Sequence, residues 1–158
     1  MIRPPYFPLM IDLMGKSVLI VGAGHIASRR AETLLRCGAN ISAVSPQFCP
    51  DFPKAVTRIT RPFRTEDITS ELALVFAATN SRSVNSLVHS RAKFLNIPVN
   101  VCDSQTECDF FFPSLINHEN IAVSVCSAGI SARLTKRLSD KLRRVWASWV
   151  NEEKNPVL

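Results

Sequence analysis

Nothing in the 158 residues approaches the run of about 18 apolar residues that a membrane span requires. The N-terminus, Met1-Ile2-Arg3-Pro4-Pro5, has no basic start leading into an apolar run and a small-residue cleavage site. Both absences set the expectation of a cytoplasmic protein. The five cysteines, Cys37, Cys49, Cys102, Cys108 and Cys126, are odd in number and form no C-x-x-C pair, which fits neither a disulfide framework nor a zinc knuckle. His25, His89 and His118 are scattered, and Cys102 and Cys108 stand six apart, without the close pairing of structural zinc, so no metal site is assigned. Internal repeats and low-complexity segments are also missing. The length excludes a two-domain dehydrogenase of ordinary size, and is enough for one nucleotide-binding domain with a short appendage. What is present is an ordinary globular balance, 46% apolar and 20% charged, which can bury a core. The 19 Lys and Arg outnumber the 13 Asp and Glu for a formal charge of +6, which favours an anionic partner: nucleic acid, phospholipid or a polycarboxylate.

Ser17 to Val21 is a continuous, largely β-branched apolar run, the pattern of a strand buried on both faces of a parallel sheet. It leads into Gly22-Ala23-Gly24. Ile26, Ala27, Ala31, Leu34 and Leu35 then recur at helical spacing, and Gly38 supplies the stop. Further strands are expected at Ile41 to Val44, Val56 to Ile59, Leu72 to Ala78 and Ile97 to Val101, with a helix from Val84 to Leu95. Strands alternating with helices predict an α/β fold with a Rossmann-like, doubly wound parallel sheet. Past Asp103 the rhythm changes. Cys108 to Pro113 carries three of the nine phenylalanines, Ile121 to Val125 alternates like a strand, and Ser131 to Val150 reads as a long helix. The expected organisation is therefore a nucleotide-binding domain over residues 1–108, a small α+β region over 109–150 and a fraying tail over 151–158.

Gly22-Ala23-Gly24-His25-Ile26-Ala27 is a G-x-G-x-x-A fingerprint. Its first glycine permits the tight turn, Gly24 lets a pyrophosphate approach the backbone, and Ala27 allows close packing of helix on strand. A dinucleotide is the expected cofactor. The acid that would grip the adenosine ribose about 20 residues on is absent, because Ser45-Pro46-Gln47 stands there; the residues alone leave NAD and NADP open.

The chain resembles the precorrin-2 dehydrogenases that also form the N-terminal half of siroheme synthases. The resemblance rests on Phe7-Pro8-Leu9 with Asp12-Leu13 and Gly15, the fingerprint with Arg29-Arg30, and Gly38-Ala39. It continues in Phe76-Ala77-Ala78-Thr79-Asn80 with Val84-Asn85, Val99 to Asp103, Cys108-Asp109-Phe110 with Pro113, and Ser127 to Leu134, spanning about residues 6–142. Family members often carry Gly-Gly or a Pro where this chain has Ala128 and Ala132, and longer relatives carry a further helical domain beyond the position of Val150.

The resemblance implies NAD-dependent oxidation of precorrin-2 to sirohydrochlorin on the way to sirohaem or cobalamin, with some relatives also inserting Fe²⁺. It implies a catalytic role for Asp103, which by itself reads as a turn former or cap after a strand. Gly22, Gly24, His25, Ile26, Pro46, Gln47, Thr79 and Asn80 become the expected NAD contacts; on their own, His25 is a first-turn residue and Pro46-Gln47 an ordinary turn. Ser127 matches a position that can bear a phosphate in relatives, and its plain reading is a loop hydroxyl near a helix start. In the last helix Leu134, Leu138, Leu142, Val145, Trp146 and Trp149 form an apolar stripe beside six basic residues. Such a helix can lie on a membrane, on nucleic acid, on its own domain or on a partner. The tryptophans continue the leucine stripe, and no reader motif interleaves aromatics with the basic face, so membrane and nucleic acid are set aside. A homodimer is expected, because the corresponding family segment is a dimerisation region, and Arg133, Lys136 and Arg137 are expected to meet carboxylates of the tetrapyrrole. A non-catalytic NAD-sensing module would share the fingerprint and needs no Asp103.

Overall fold

The computed structural model describes residues 6–154 and divides into two compact units, one of Phe7–Phe110 and one of Phe111 onward with Tyr6. In the first, β1 (Ser17–Val21), β2 (Asn40–Ser45), β3 (Thr57–Thr60), β4 (Leu74–Ala77) and β5 (Val99–Val101) form one parallel sheet in the order β3-β2-β1-β4-β5. Helix α1 (His25–Arg36) connects β1 to β2, and α2 (Arg82–Phe94) connects β4 to β5. The chain moves outward from β1 in opposite directions, so right-handed crossovers set the two helices on opposite faces. The Rossmann-like, doubly wound expectation is borne out.

Strand alternation divides the core accordingly. Leu19, Val21, Val44, Val75, Ala77, Val99 and Val101 pack with Val88 and Ala92 of α2. Register places Ile20 beside Ala43 and Phe76, and Phe76 beside Asn100. Arg30 of α1 reaches this second row, its guanidinium 5.4 Å from the Phe76 ring centre and 2.5 Å from Asn100 Oδ1. The α1 residues Ala27, Ser28, Ala31 and Leu34 are buried at helical spacing. Gly38 ends that helix at φ +77°, where an L side chain is strained and a Cβ would also meet Met14 Sδ. Between β3 and β4 stands a single 3₁₀ turn, Thr65–Asp67, in place of an α-helix; that crossover delivers the fully buried Ile68 to the core and is closed by the bidentate Arg61–Asp67 pair. The hydrogen bond from Arg61 also holds the Asp67 carboxyl below its usual range.

The second unit is an antiparallel hairpin, β6 (Ser114–His118) with β7 (Ile121–Val125), packed with the long helix α3 (Ala132–Lys154). Two features differ from the sequence reading. Strand β6 was not expected: Ser114-Leu115-Ile116-Asn117-His118 has no clean alternation and buries only Ile116, and its pairing with β7 makes it a strand. The helix also continues through Asn151 to Lys154, where a tail was expected. There Asn151 Oδ1 lies 3.1 Å from His118 Nε2 and Lys154 pairs with Glu119, which ties the last turn to the hairpin. The remainder of the expected tail, residues 155–158, lies outside the described residues. Asp109 N donates to Val99 O, and the Asp109 carboxylate accepts from Val99 N and Lys93 Nζ. These bonds carry the first unit through Phe110, past the expected boundary at 108.

Candidate functional site

The carboxyl ends of the parallel strands gather the sequence candidates of the first unit. β1 runs into Gly22 and Gly24, β2 into Pro46 and Gln47, β4 into Thr79 and Asn80, and β5 into Asp103. The chain leaves β1 toward β2 on one side and returns as β4 on the other, and at such a switch point an open α/β sheet forms its ligand crevice.

Gly22 adopts φ +106°, and a Cβ there would stand 2.4 Å from Ala78 O and 2.7 Å from Ala78 C, both backbone. The position is closed to any side chain. Gly24 faces the opposite condition: nothing lies within 4 Å of where its Cβ would be. It is the N-cap of α1 and offers no side-chain cap, and no acidic residue occupies the first turn. The first intrahelical bond runs from Ser28 N to Gly24 O, so the leading N–H groups of His25, Ile26 and Ala27 precede the helical ladder. Unpaired donors, a positive helix end and a bare glycine suit a diphosphate. His25 and Ile26 are exposed on this turn and Ala27 is fully buried, as the fingerprint requires. At the end of β2, Ser45 Oγ donates to Gln47 O at 2.7 Å, folding Pro46 and Gln47 into an exposed turn.

The β4 loop is fixed from α2. Asn85, fully buried, accepts from Thr79 N (3.2 Å) and Thr79 Oγ1 (2.7 Å) through Oδ1 and donates from Nδ2 to Thr79 O (3.1 Å). A buried amide thus meets both backbone groups of Thr79, and Asn80 is left exposed beside it. The β5 loop is tied to the same place, since Cys102 N donates to Ala77 O at 2.9 Å. Asp103 projects from that loop. Its Oδ1 accepts from Arg82 Nη1 at 3.0 Å, and Arg82 Nη2 donates to Glu107. Those contacts push the Arg82 guanidinium above its usual range, the Glu107 hydrogen bond first. Cys108 Sγ lies 3.2 Å from Val101 N, Val101 O and Ser104 O and closes the loop from behind. Burial pushes both the Cys102 and Cys108 thiols up. Among the described residues no group of three or more His, Cys, Asp and Glu could hold a metal ion.

Ser127, Arg133, Lys136 and Arg137 belong to the second unit. Ser127 Oγ accepts from Ser131 N (3.0 Å) and Thr135 Oγ1 (2.9 Å), while Ser131 Oγ accepts from Leu134 N, so the two serines cap α3. Between them Ala128 and Gly129 both take positive φ, +50° and +79°, and Ile130 N donates to Ser127 O. Arg133, Lys136 and Arg137 are exposed on the first turns of α3, with Lys136 paired to Asp140 at 2.7 Å. Sequence reasoning gave no role to Arg82, Asn85 or Glu107. A polar residue in a helix turn carries no signature of its own, and only the packing of α2 beside β5 brings these groups to the strand ends.

The family model described as "Putative NAD(P)-binding" matches residues 9–114. Over 145 residues the chain is 36% identical to a siroheme synthase of Pseudoalteromonas atlantica, covering 89% of this chain and 31% of that protein. It is 39% identical over 140 residues to siroheme synthase 2 of Aeromonas hydrophila, covering 87% and 30%. The chain thus spans about a third of the length of these relatives. Among solved structures, SirC, a precorrin-2 dehydrogenase, superposes with a TM-score of 0.76 at 25% identity, covering 92% of this chain and 76% of that one. The resemblance read from the sequence is borne out.

Proposed function

The chain belongs to the NAD(P)-binding family, and from that premise we propose that it oxidises precorrin-2 to sirohydrochlorin with NAD⁺, using Asp103 as the proton acceptor. The observation that carries the reading is the position of Asp103. It is a carboxylate on the loop that follows β5, the strand paired with β4, at the end of the sheet where the fingerprint glycines open. The glycine turn fits the cofactor: Gly24 and the leading N–H groups of α1 hold the diphosphate, Pro46 and Gln47 flank the adenosine end, and Thr79 and Asn80 border the nicotinamide end. Bound there, NAD⁺ supplies a hydride acceptor. Asp103 takes the accompanying proton, so each turnover removes one hydride and one proton and leaves the electron pair to extend the conjugation of the macrocycle.

In the second unit Arg133, Lys136 and Arg137 meet substrate carboxylates, and Ser127 lies in the same capped segment. Ile130, Leu134, Leu138 and Trp149 leave large apolar side chains exposed, which supports a homodimer that covers them. The five cysteines are free thiols, in keeping with a reducing, cytoplasmic setting. Among the described residues no helix is long and apolar enough to cross a membrane.

Replacing Asp103 by Ala is expected to lower sirohydrochlorin formation by roughly 10²–10⁴-fold, the usual contribution of a positioned general base, while NAD⁺ titration gives an unchanged Kd. Wild-type turnover by the variant would remove Asp103 from the reaction. NAD⁺ binding without any oxidation of precorrin-2 by the wild type would favour a sensing module.

A further inference from the structure

Arg82 stands on the first turn of α2, three residues before Asn85, and its two terminal nitrogens engage two acids from the β5 loop. Nη1 donates to Asp103 Oδ1 at 3.0 Å and Nη2 donates to Glu107. Among the described residues Asp103 Oδ2 has no hydrogen-bond partner, and the Asp103 side chain is 37% exposed. The planar guanidinium therefore fixes the carboxylate by one oxygen and leaves the other free of protein contacts of this kind. Lysine offers no such fork, since an ammonium is a point charge on a flexible stem.

We infer that Arg82 is a positioning residue for Asp103: anchored by Glu107, it holds Asp103 Oδ1 and so presents Oδ2 to the substrate. The inference rests on the dehydrogenase reading for its reaction and stands on this ion-pair geometry for its structural half. Arg82 also sets the local charge. With it, the Asp103 and Glu107 carboxylates face one cation; without it, two uncompensated carboxylates face a polyanionic substrate and the diphosphate of the cofactor.

All three side chains are partly exposed, and exposed ion pairs contribute little to folding, so substitution here reads function more than stability. Arg82→Gln is expected to lower kcat for precorrin-2 oxidation by about 10–100-fold, the cost of a misplaced catalytic group. The thermal midpoint and the Kd for NAD⁺ should stay near wild type. Arg82→Lys should recover part of kcat, and Glu107→Gln should lose less than Arg82→Gln. The double variant Arg82→Gln/Glu107→Gln should match Arg82→Gln alone, since Glu107 acts through the guanidinium. Unchanged kcat in Arg82→Gln, or losses in Arg82→Gln and Glu107→Gln that simply multiply, overturns the inference. A fall in NAD⁺ affinity parallel to kcat reassigns Arg82 to the cofactor and also overturns it.

A measurement without substrate separates this inference from the reaction it serves. In ¹⁵N spectra of the wild type, the Arg82 guanidinium should show hindered rotation that is loosened by Asp103→Asn and released when Glu107→Gln is added. A freely rotating guanidinium in the wild type sinks the positioning role whatever the enzyme oxidises. Hindered rotation in a protein that fails to turn over precorrin-2 leaves the Arg82–Asp103 unit intact and rejects the substrate.

Discussion

The two compact units answer the same problem, how to bury apolar residues, in opposite ways. In Phe7–Phe110 strands β4 and β5 are wholly buried and β1 is buried from Val18 onward, and Ile20, Phe76, Val75 and Val99 have no exposed surface. The second unit, among its described residues, buries only Ile116 and Val150 as apolar side chains, with Ser139 beside them. Its helix keeps Leu134 50% and Trp149 50% exposed. A parallel sheet covered on both faces closes its own core, whereas a two-stranded hairpin with one helix offers too little surface to do so. The first unit is thus built to present a rigid edge to a cofactor, and the second is left with an exposed apolar stripe.

The largest test of that contrast is Phe76→Ala. The ring is fully buried, sits edge-on to Phe110 at 5.4 Å and carries Arg30 over its face. Its removal should cost about 3–5 kcal/mol in urea unfolding. A loss under about 1 kcal/mol would show that the first unit does not depend on its own core. Next is Leu138→Glu on the α3 stripe, 44% exposed in the single chain. Burying half a leucine is worth of the order of 1 kcal/mol per copy, and a buried unpaired carboxylate adds several more. The substitution should therefore shift light-scattering mass from dimer to monomer while barely moving urea unfolding of the monomer. A wild type already monomeric at micromolar concentration would break the comparison. Ala128→Gly should have the smallest effect, a gain of about 1 kcal/mol, because an alanine at φ +50° carries the left-handed penalty that glycine avoids. It is read as a rise in thermal midpoint, and a fall would mean the turn is held in place by the methyl group.

The sequence made the first unit legible because its central strands β1 and β4 are apolar runs bounded by punctuation. Ser17 to Val21 followed by Gly22 announces a buried strand and a glycine turn, and the structure adds why Gly22 tolerates no substitute: the Ala78 carbonyl occupies the space. The second unit was less legible for the reason that it is less buried. Ser114 to His118 takes its strand character from β7 rather than from its own pattern, and Asn151 to Lys154 looks polar and loose until His118 and Glu119 are brought against it. The site divides along the same line. Gly22 and Gly24 stood out by their place in the fingerprint, whereas Pro46, Gln47, Thr79, Asn80 and Asp103 at the strand ends came from the resemblance. Arg82 and Asp103, 21 apart in sequence, meet only when α2 and β5 are folded together. Ser127, found by resemblance alone, turns out to be one of two serines that cap α3.

The first turn of α2 has an engineering consequence. Ser81 caps it, Asn85 clamps Thr79 from its far side and Arg82 grips Asp103 from its near side, so five consecutive positions set two loops from two different strands. A point substitution there detunes one loop. An insertion or deletion of one residue would rotate the turn by about 100° and unhook both loops at once. Anyone grafting this strand edge onto another parallel-sheet scaffold must therefore transplant Thr79 through Asn85 as a single cassette together with Asp103 to Glu107. Libraries meant to alter turnover while preserving cofactor affinity should leave the length of that turn untouched.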